Sequence, residues 1–290
     1  MEKEQKDVVL LDAYNLIYRA FHGNKAELTN ENGLPTGAIY TTLKMLKKIP
    51  QQFSNLEYVL AVFDGGGNNF RKDLDVNYKA NRSEMPEDLK KQFPYIKQAM
   101  KILGWPIFQA KDVEADDVLS TLAVRAAHNG FHAYIISGDK DFRQIVSNNI
   151  SVIDTMQDIE YTPEAVFEKM GLPPSQIRDY LALVGDSSDN VPGVEKLGPK
   201  TAIKLLSEYE TLEKIIENKD KITGKVGDNL RKVIDSQELL LWQKLVTVKT
   251  DVELNFKRSE MRFSEVDQNA WQDFCIEMNF KSFLNNSPKP

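Results

Sequence analysis

Nine carboxylates stand out by where they fall. Asp12 and Asp64 each end a short apolar run, Glu114, Asp116 and Asp117 crowd one turn, Asp139 and Asp141 follow Ser137-Gly138, and Asp186 and Asp189 lie three apart. Like charges this close repel, by several tenths of a kcal/mol per pair even when exposed. A helix N-terminus offsets part of that for Glu114, Asp116 and Asp117. Acids are common in a first turn, so this stretch alone reads equally well as ordinary helix chemistry. A bound divalent cation would offset far more. Hard oxygen ligands with no His or Cys among them select Mg²⁺ or Mn²⁺ over Zn²⁺. So many carboxylates suit two or more ions, and a pair about 4 Å apart activates a water and stabilises the leaving oxygen in an in-line attack on a phosphodiester. Hydrolysis of a phosphate ester is the implied reaction. His22, His128 and His132 fit no ligand spacing and read as surface or packing residues, and Ser137, Ser187 and Ser188 lack a paired base for nucleophilic catalysis.

The elements that must position these acids are legible as four apolar runs. Val8-Val9-Leu10-Leu11 ends in Asp12, Tyr58-Val59-Leu60-Ala61-Val62-Phe63 ends in Asp64 before Gly65-Gly66-Gly67, Ala133-Tyr134-Ile135-Ile136 leads to Asp139 and Asp141, and Ile150-Ser151-Val152-Ile153 ends in Asp154. Apolar runs separated by helical stretches read as βαβ units of a parallel sheet. Ligands bind beyond the carboxyl ends of such strands. The spacing therefore predicts that Asp12, Asp64, Asp139 and Asp141 converge at one sheet edge with Glu114, Asp116 and Asp117; Asp154 is placed at the sheet margin and left out.

Two further stretches carry positive charge. Residues 70–101 hold eight bases (Arg71, Lys72, Lys79, Arg82, Lys90, Lys91, Lys97, Lys101) against five acids. Tyr78, Lys79 and Arg82 at helical spacing could share one face, and an aromatic with two cations grips single-stranded nucleic acid by stacking and phosphate contact. A charge run without other context is usually a solvated face, but about 45 residues between Asp64 and the next core helix exceed a crossover's needs, so an excursion above the site is expected. After Thr162-Pro163-Glu164, which reads as a helix start, the chain reads as mostly helical. Gly193-Val194-Glu195-Lys196-Leu197-Gly198 lies between two predicted helices, Pro199 opens the second, and Lys200 and Lys204 are one turn apart. Alone such a turn is a tight connection; beside Asp186, Asp189 and the lysines it suits a duplex phosphate backbone. Leu239-Leu240-Leu241-Trp242, Leu245-Val246, Trp271, Phe274, Ile276, Met278, Phe280 and Phe283 read as core, and 285–290 as a linker beginning or frayed end.

Composition agrees with a folded protein: 290 residues, 41% hydrophobic, 28% charged and a net charge of −6, which alone argues mildly against nucleic acid until the segregation of acids from bases is noticed. The N-terminus has no signal-peptide pattern, no window approaches a membrane span, and the single Cys275 suits a reducing compartment. A cytoplasmic protein is expected.

Val62-Phe63-Asp64, Phe70-Arg71 with Tyr78-Lys79-Ala80-Asn81-Arg82, Glu114-Ala115-Asp116-Asp117, Gly138-Asp139-Lys140-Asp141 and Gly185-Asp186-Ser187-Ser188-Asp189-Asn190-Val191-Pro192-Gly193 together resemble the 5′ nuclease domain of bacterial DNA polymerase I, in the flap endonuclease family, over essentially the whole chain. The resemblance implies a PIN-like α/β core at 1–160, a mainly parallel twisted sheet flanked by helices, with a helical arch at about 70–101. A helical part at 161–290 would follow, with a helix-three-turn-helix motif at about 176–207. It further implies that Asp12, Asp64, Glu114, Asp116 and Asp117 surround the tighter ion and Asp139, Asp141, Asp186 and Asp189 the second. Lys79 and Arg82 would draw the scissile phosphate onto the ions, Tyr78 would stack on the frayed nucleotide, and Arg71 would join these DNA contacts. Gly193, Val194, Lys196, Gly198, Lys200, Thr201 and Lys204 would grip the duplex, with K⁺ at the hairpin. The implied partners are DNA with a 5′ flap or nick, an RNA primer–DNA hybrid and, in longer chains, polymerase domains; a nucleoid-associated monomer is expected. The family's usual lysine after the second strand is absent at Gly66, and the three glycines are expected to loosen the arch's hinge. Two other classes were weighed: a catalytically silent flap-binding module, which would lack some of the carboxylates, and a compact metal-dependent ribonuclease, which would need neither the basic excursion nor the hairpin.

Overall fold

The computed structural model describes residues 6–23, 28–54 and 56–284, so the expected tail at 285–290 lies outside the described residues. In chain order, β1 (Asp7–Asp12) leads into α1 (Ala13–Gly23) and α2 (Gly37–Lys48), and β2 (Leu56–Asp64) into α3 (Phe70–Leu74) and α4 (Glu87–Ile102). Then come β3 (Ile107–Ala110), α5 (Ala115–His128), β4 (His132–Ile136), β5 (Ile150–Asp154) and β6 (Ile159–Tyr161). The remainder is helical: α6 (Pro163–Met170), α7 (Pro174–Val184), α8 (Pro199–Tyr209), α9 (Leu212–Glu217), α10 (Gly224–Asp235), α11 (Glu238–Val246), α12 (Gln268–Glu277) and α13 (Lys281–Leu284).

The sheet runs β3-β2-β1-β4-β5-β6, parallel except for β6 against β5. The period-2 pleat splits each central strand between two cores. Val8, Leu10, Leu60, Val62 and Ile135 pack under α5 and the helical region, while Val9, Leu11, Val59, Ala61, Phe63 and Ile136 pack under α1, α2, α4 and α12. Burial on both faces is why these strands read as continuous apolar runs. The chain turns from one side of β1 to the other between β3 and β4, so the open edge beyond Asp12 and Ile136 is the switch point at which such sheets bind ligands.

Three expectations need correcting. The segment after β2 is not an excursion throughout, because Leu89, Ile96, Ala99 and Met100 of α4 are buried in the second core and α4 is the crossover helix to β3. The stretch before α4 carries Arg71, Lys79 and Arg82, which meet Glu114 and Asp189. The sheet runs through Tyr161, just past the expected 1–160 boundary, and Trp271, Phe274 and Cys275 of α12 return to the α/β core rather than extending a separate helical unit. Before the arch, Gly65 packs so closely on β3 that a Cβ there would fall 1.7 Å from the Ala110 carbonyl oxygen, whereas Gly66 has open space around it. Among the described residues no helix is long and apolar enough to cross a membrane.

Candidate active site

The acids at the strand ends are fixed by short-range hydrogen bonds that their own neighbours supply. Asp12 accepts from the Asn15 backbone N–H (3.0 Å) and the Ser137 hydroxyl (2.8 Å). Asp64 accepts from the Ala115 N–H (2.8 Å), so the strand-end carboxylate caps α5 and ties the two motifs together. Asp139 accepts from the Asp141 N–H (2.9 Å), turning the chain back into the site. Asp186 accepts from the Ser188 N–H (2.9 Å) and hydroxyl (2.6 Å) and from Lys140 (2.9 Å). Sequence reasoning passed over Asn15, met Ser137 and Ser188 only as serines without a paired base and Lys140 only inside a motif; each lies within three residues of a candidate acid, which was the available signal.

These groups share one electrostatic field. Burial, then the charge of Asp139 among others, pushes the Asp116 carboxyl well above the usual carboxylate range. Burial, opposed by hydrogen bonds and reinforced by Asp139 and Asp64, pushes Asp12 up to about 7. Asp64 and Asp139 are likewise raised, burial being the main cause, and Asp141 is raised by burial together with Asp139, Asp189 and Asp186. Asp186 goes the other way: burial opposes its charge, but the hydrogen bonds from Ser188 and Lys140 outweigh it. One oxygen each of Asp141, Asp186 and Asp189 lies within 4.8 Å of the others, and Asp141 Oδ1 and Asp186 Oδ2 are buried without a hydrogen-bond partner. Three buried carboxylates this close, two of them with an unpartnered oxygen, could hold a hard cation.

The basic residues lie elsewhere than their spacing suggests. Residues 76–81 form turns rather than a helix, with Lys79 at φ 56°, so Tyr78, Lys79 and Arg82 share no helical face. Tyr78 is buried (2% exposed), its hydroxyl donating to Asp189 (2.8 Å) and lying 3.2 Å from Glu114; in this conformation it cannot stack on a nucleotide. Lys79 reaches Glu114 Oε1 (2.9 Å) and Asp189 (3.8 Å), and Arg82, half exposed, reaches Asp189 Oδ1 (2.9 Å). Burial opposes the Lys79 charge, but Glu114, Asp116 and Asp189 outweigh it and raise its pKa. The turn is sewn to the 186–190 loop by Lys79 N–H to the Asp189 carbonyl (3.0 Å), Asn81 to the Ser187 carbonyl (2.7 Å) and Asn190 to the Asn77 carbonyl (2.8 Å).

Arg71 also departs from its expected role as a DNA contact. It is buried (2% exposed) and grips Glu114 (2.8 Å) and both oxygens of Asp117 (2.7 and 2.8 Å). Asp117 also accepts from the Lys249 N–H, so its charge is already matched by partners within the chain. In the hairpin, Gly193 sits at φ 72° with a would-be Cβ 2.4 Å from the Gly185 nitrogen, and the Val194 side chain is buried, which leaves only its backbone near the surface. Lys196, Lys200 and Lys204 are exposed, with Gly198 and Thr201 half-buried between them.

Comparisons with known proteins show the family and the fold. A model of the 5′-3′ exonuclease N-terminal resolvase-like domain matches residues 7–171, and one of the 5′-3′ exonuclease C-terminal SAM fold matches 172–269. A 5′-3′ exonuclease of Aquifex aeolicus is 37% identical over 284 residues, covering 98% of this chain and 96% of that protein. DNA polymerase I of Bacillus caldotenax is 36% identical over 291 residues, and here the chain spans 33% of the relative's length. Among solved structures, the bacteriophage T5 flap endonuclease in complex with DNA and metal ions superposes with a TM-score of 0.72 at 21% identity, over 98% of this chain and 97% of that one. The catalytic core of Rad2 with a DNA substrate gives 0.61 at 14%, over 98% and 91%. With both halves matched and a relative 37% identical along 96% of its length, the chain belongs to the 5′-3′ exonuclease family.

Proposed function

We propose that this member of the family is a structure-specific 5′ nuclease, hydrolysing a DNA phosphodiester where a 5′ flap meets duplex, or from a 5′ end, and releasing a 5′-phosphate product. The observation that carries the reading is the convergence, at the switch point of the sheet, of Asp12, Asp64, Glu114, Asp116, Asp139, Asp141, Asp186 and Asp189, with two buried oxygens left unpartnered. The donor set fits Mg²⁺ or Mn²⁺: all oxygen, no imidazole, no thiolate. Asp12, Asp64, Glu114 and Asp116 would surround one ion and Asp139, Asp141, Asp186 and Asp189 the second, the last three bringing one oxygen each within 4.8 Å of the others. Such ions supply Lewis acidity and a hydroxide nucleophile at neutral pH.

The chain's own side chains do the rest. Lys79 and Arg82 stand beside the carboxylates, where a scissile phosphate would be drawn in by their charge. Lys200, Lys204 and the Gly193–Gly198 backbone grip duplex phosphates without reading sequence, and the hairpin carbonyls suit a K⁺ ion. Substrates of this shape arise as flaps, nicks and RNA primers joined to DNA during lagging-strand synthesis and repair; in a longer chain, polymerase domains would act on the same nick.

The test is cleavage of flapped DNA, blunt duplex and hairpin RNA with and without Mg²⁺. Junction-specific, Mg²⁺-dependent cutting of the flap is expected. Flap binding without cutting under every condition would point to a silent binding module, and equal cutting of unflapped RNA would reject the junction-specific reading in favour of a ribonuclease.

A further inference from the structure

Arg71 uses its whole guanidinium. Besides Glu114 and Asp117, Nε donates to the Leu245 carbonyl (2.8 Å) and Nη2 to the Thr247 carbonyl (2.6 Å), so all five N–H groups are engaged by four residues. The two carbonyls belong to a strap, residues 245–252, that begins in the last turn of α11 and crosses α5. Gln144 donates to the Val246 carbonyl (3.0 Å) and accepts from the Val248 N–H (3.1 Å). The Lys249 N–H donates to Asp117 Oδ1 (2.8 Å), the Lys249 ammonium lies 3.7 Å from the Phe70 ring centroid, and Thr121 and Arg125 of α5 bind the Lys249 and Val252 carbonyls.

Every hydrogen bond Arg71 donates goes to a carboxylate of the α5 motif or to the strap, its guanidinium lies over the Phe70 and Tyr78 rings, and it is sealed from solvent, so it is not placed to meet a phosphate. A planar fork that matches two carboxylates and two carbonyls at once is a device for orientation that a lysine cannot copy. Glu114 is the carboxylate that links this fork to the ion-facing groups: its Oε2 is held by Arg71 while Oε1 accepts from Lys79 and from the Asn69 amide (3.0 Å).

We propose that Arg71 is a positioning residue for divalent-ion binding, acting through Glu114 and Asp117, and that the 245–252 strap is through it the outer wall of the ion site. The helical region would then contribute to the ion site as well as to duplex binding. The inference rests on the metal-dependent reading above and adds a role to residues that this reading leaves idle.

The experiment is a Mn²⁺ titration of the DNA-free protein, free Mn²⁺ being followed by electron paramagnetic resonance, for the wild type, Arg71→Lys, Asp117→Asn and the double variant. Residues that orient metal ligands typically change affinity by about 10- to 100-fold, so Arg71→Lys is expected to weaken the tighter site by roughly tenfold. Flap affinity measured in Ca²⁺, and its salt slope, should stay unchanged. Asp117→Asn preserves the shape of the fork's partner and should weaken the same site. The double variant should be no weaker than the worse single one, because both act on one unit. Unchanged Mn²⁺ affinity in Arg71→Lys or Asp117→Asn overturns the inference, as does a loss of flap affinity with a salt slope reduced by about one, which would mark a phosphate contact. A wild type that binds no Mn²⁺ rejects the metal-dependent reading itself, a distinct result.

Discussion

Asp141 offers the sharpest test of whether the site is held under electrostatic tension. Replacing it by Asn removes one charge from a group whose oxygens lie within 4.8 Å of Asp186 and Asp189, while keeping the shape. At that separation two full charges repel by about 3.5 kcal/mol at an effective dielectric of about 20. The folded chain relieves much of this by holding the Asp141 carboxyl protonated well above its usual range. What remains should appear as a stability gain for Asp141→Asn of about 1–3 kcal/mol in EDTA, the size expected when a destabilising active-site charge is removed. With roughly 2–4 °C per kcal/mol for a chain of this size, the melting temperature should rise by about 2–12 °C. The sign of the pH dependence is fixed. A carboxyl with a raised folded-state pKa binds more protons folded than unfolded, so the wild type loses stability as pH rises above the unfolded value of 3.8 towards the folded one. The advantage of Asp141→Asn should therefore be absent in acid and grow towards neutrality. In saturating Mg²⁺ the order should close or reverse, because an ion at a hundredfold excess over its Kd adds about 2.7 kcal/mol to a protein with intact ligands. Thermal unfolding with EDTA and with Mg²⁺, at several pH values, reads all of this; a variant less stable than wild type in EDTA near neutral pH would refute the reasoning.

Other substitutions separate roles that the sequence alone had merged. Tyr78→Phe keeps a stacking ring but deletes the hydroxyl that donates to Asp189, so a cost of about 1–2 kcal/mol in urea unfolding is expected, whereas a purely stacking tyrosine would lose nothing. Lys79→Ala should slow single-turnover cleavage by about a hundredfold with little change in duplex affinity, while Lys200→Ala should weaken duplex binding and lower its salt slope by about one with the chemical rate intact; parallel losses in both would reject that division. Gly193→Ala places a Cβ against the Gly185 and Val184 backbone at φ 72° and should cost several kcal/mol, roughly 2–4, together with duplex binding, checked by calorimetric melting and a binding assay.

How much of this was legible in the sequence depended on how local the cause was. β1, β2, β4 and β5 announce themselves because burial on both faces leaves unbroken apolar runs, and the acids at their ends fall at one sheet edge by topology alone. β3 was missed because Ile107-Phe108-Gln109-Ala110 is four residues long and half-exposed at the sheet margin; that omission made α4 look like part of an excursion rather than a crossover. Arg71 and Tyr78 were read as facing DNA because a cation and an aromatic look alike whether they face solvent or interior. Their true partners are distant, the Leu245 carbonyl 174 positions away and Asp189 111 away. No periodicity carries such pairings, and only the fold brings them together.

The candidate acids divide by partner, and the division sets the pH at which ions can load. Glu114, Asp117, Asp186 and Asp189 each pair with a cation among Arg71, Lys79, Arg82 and Lys140. Asp12, Asp64, Asp116, Asp139 and Asp141 form no such ion pair, and these five are the ones whose pKa is raised. An ion must find them deprotonated, so protons and ions compete for the same oxygens. Affinity for Mg²⁺ should climb as pH rises through the weakly acidic range, because burial and their neighbours' charges hold Asp12, Asp116 and Asp141 protonated above the usual carboxylate range. Binding near pH 6 should release protons, visible as a heat that scales with buffer ionisation enthalpy. Unpaired exposed carboxylates would instead show a flat affinity above roughly pH 5, so a Mg²⁺ affinity constant from pH 5.5 to 8, with no proton release, would mean that these oxygens are not the ones the ion uses.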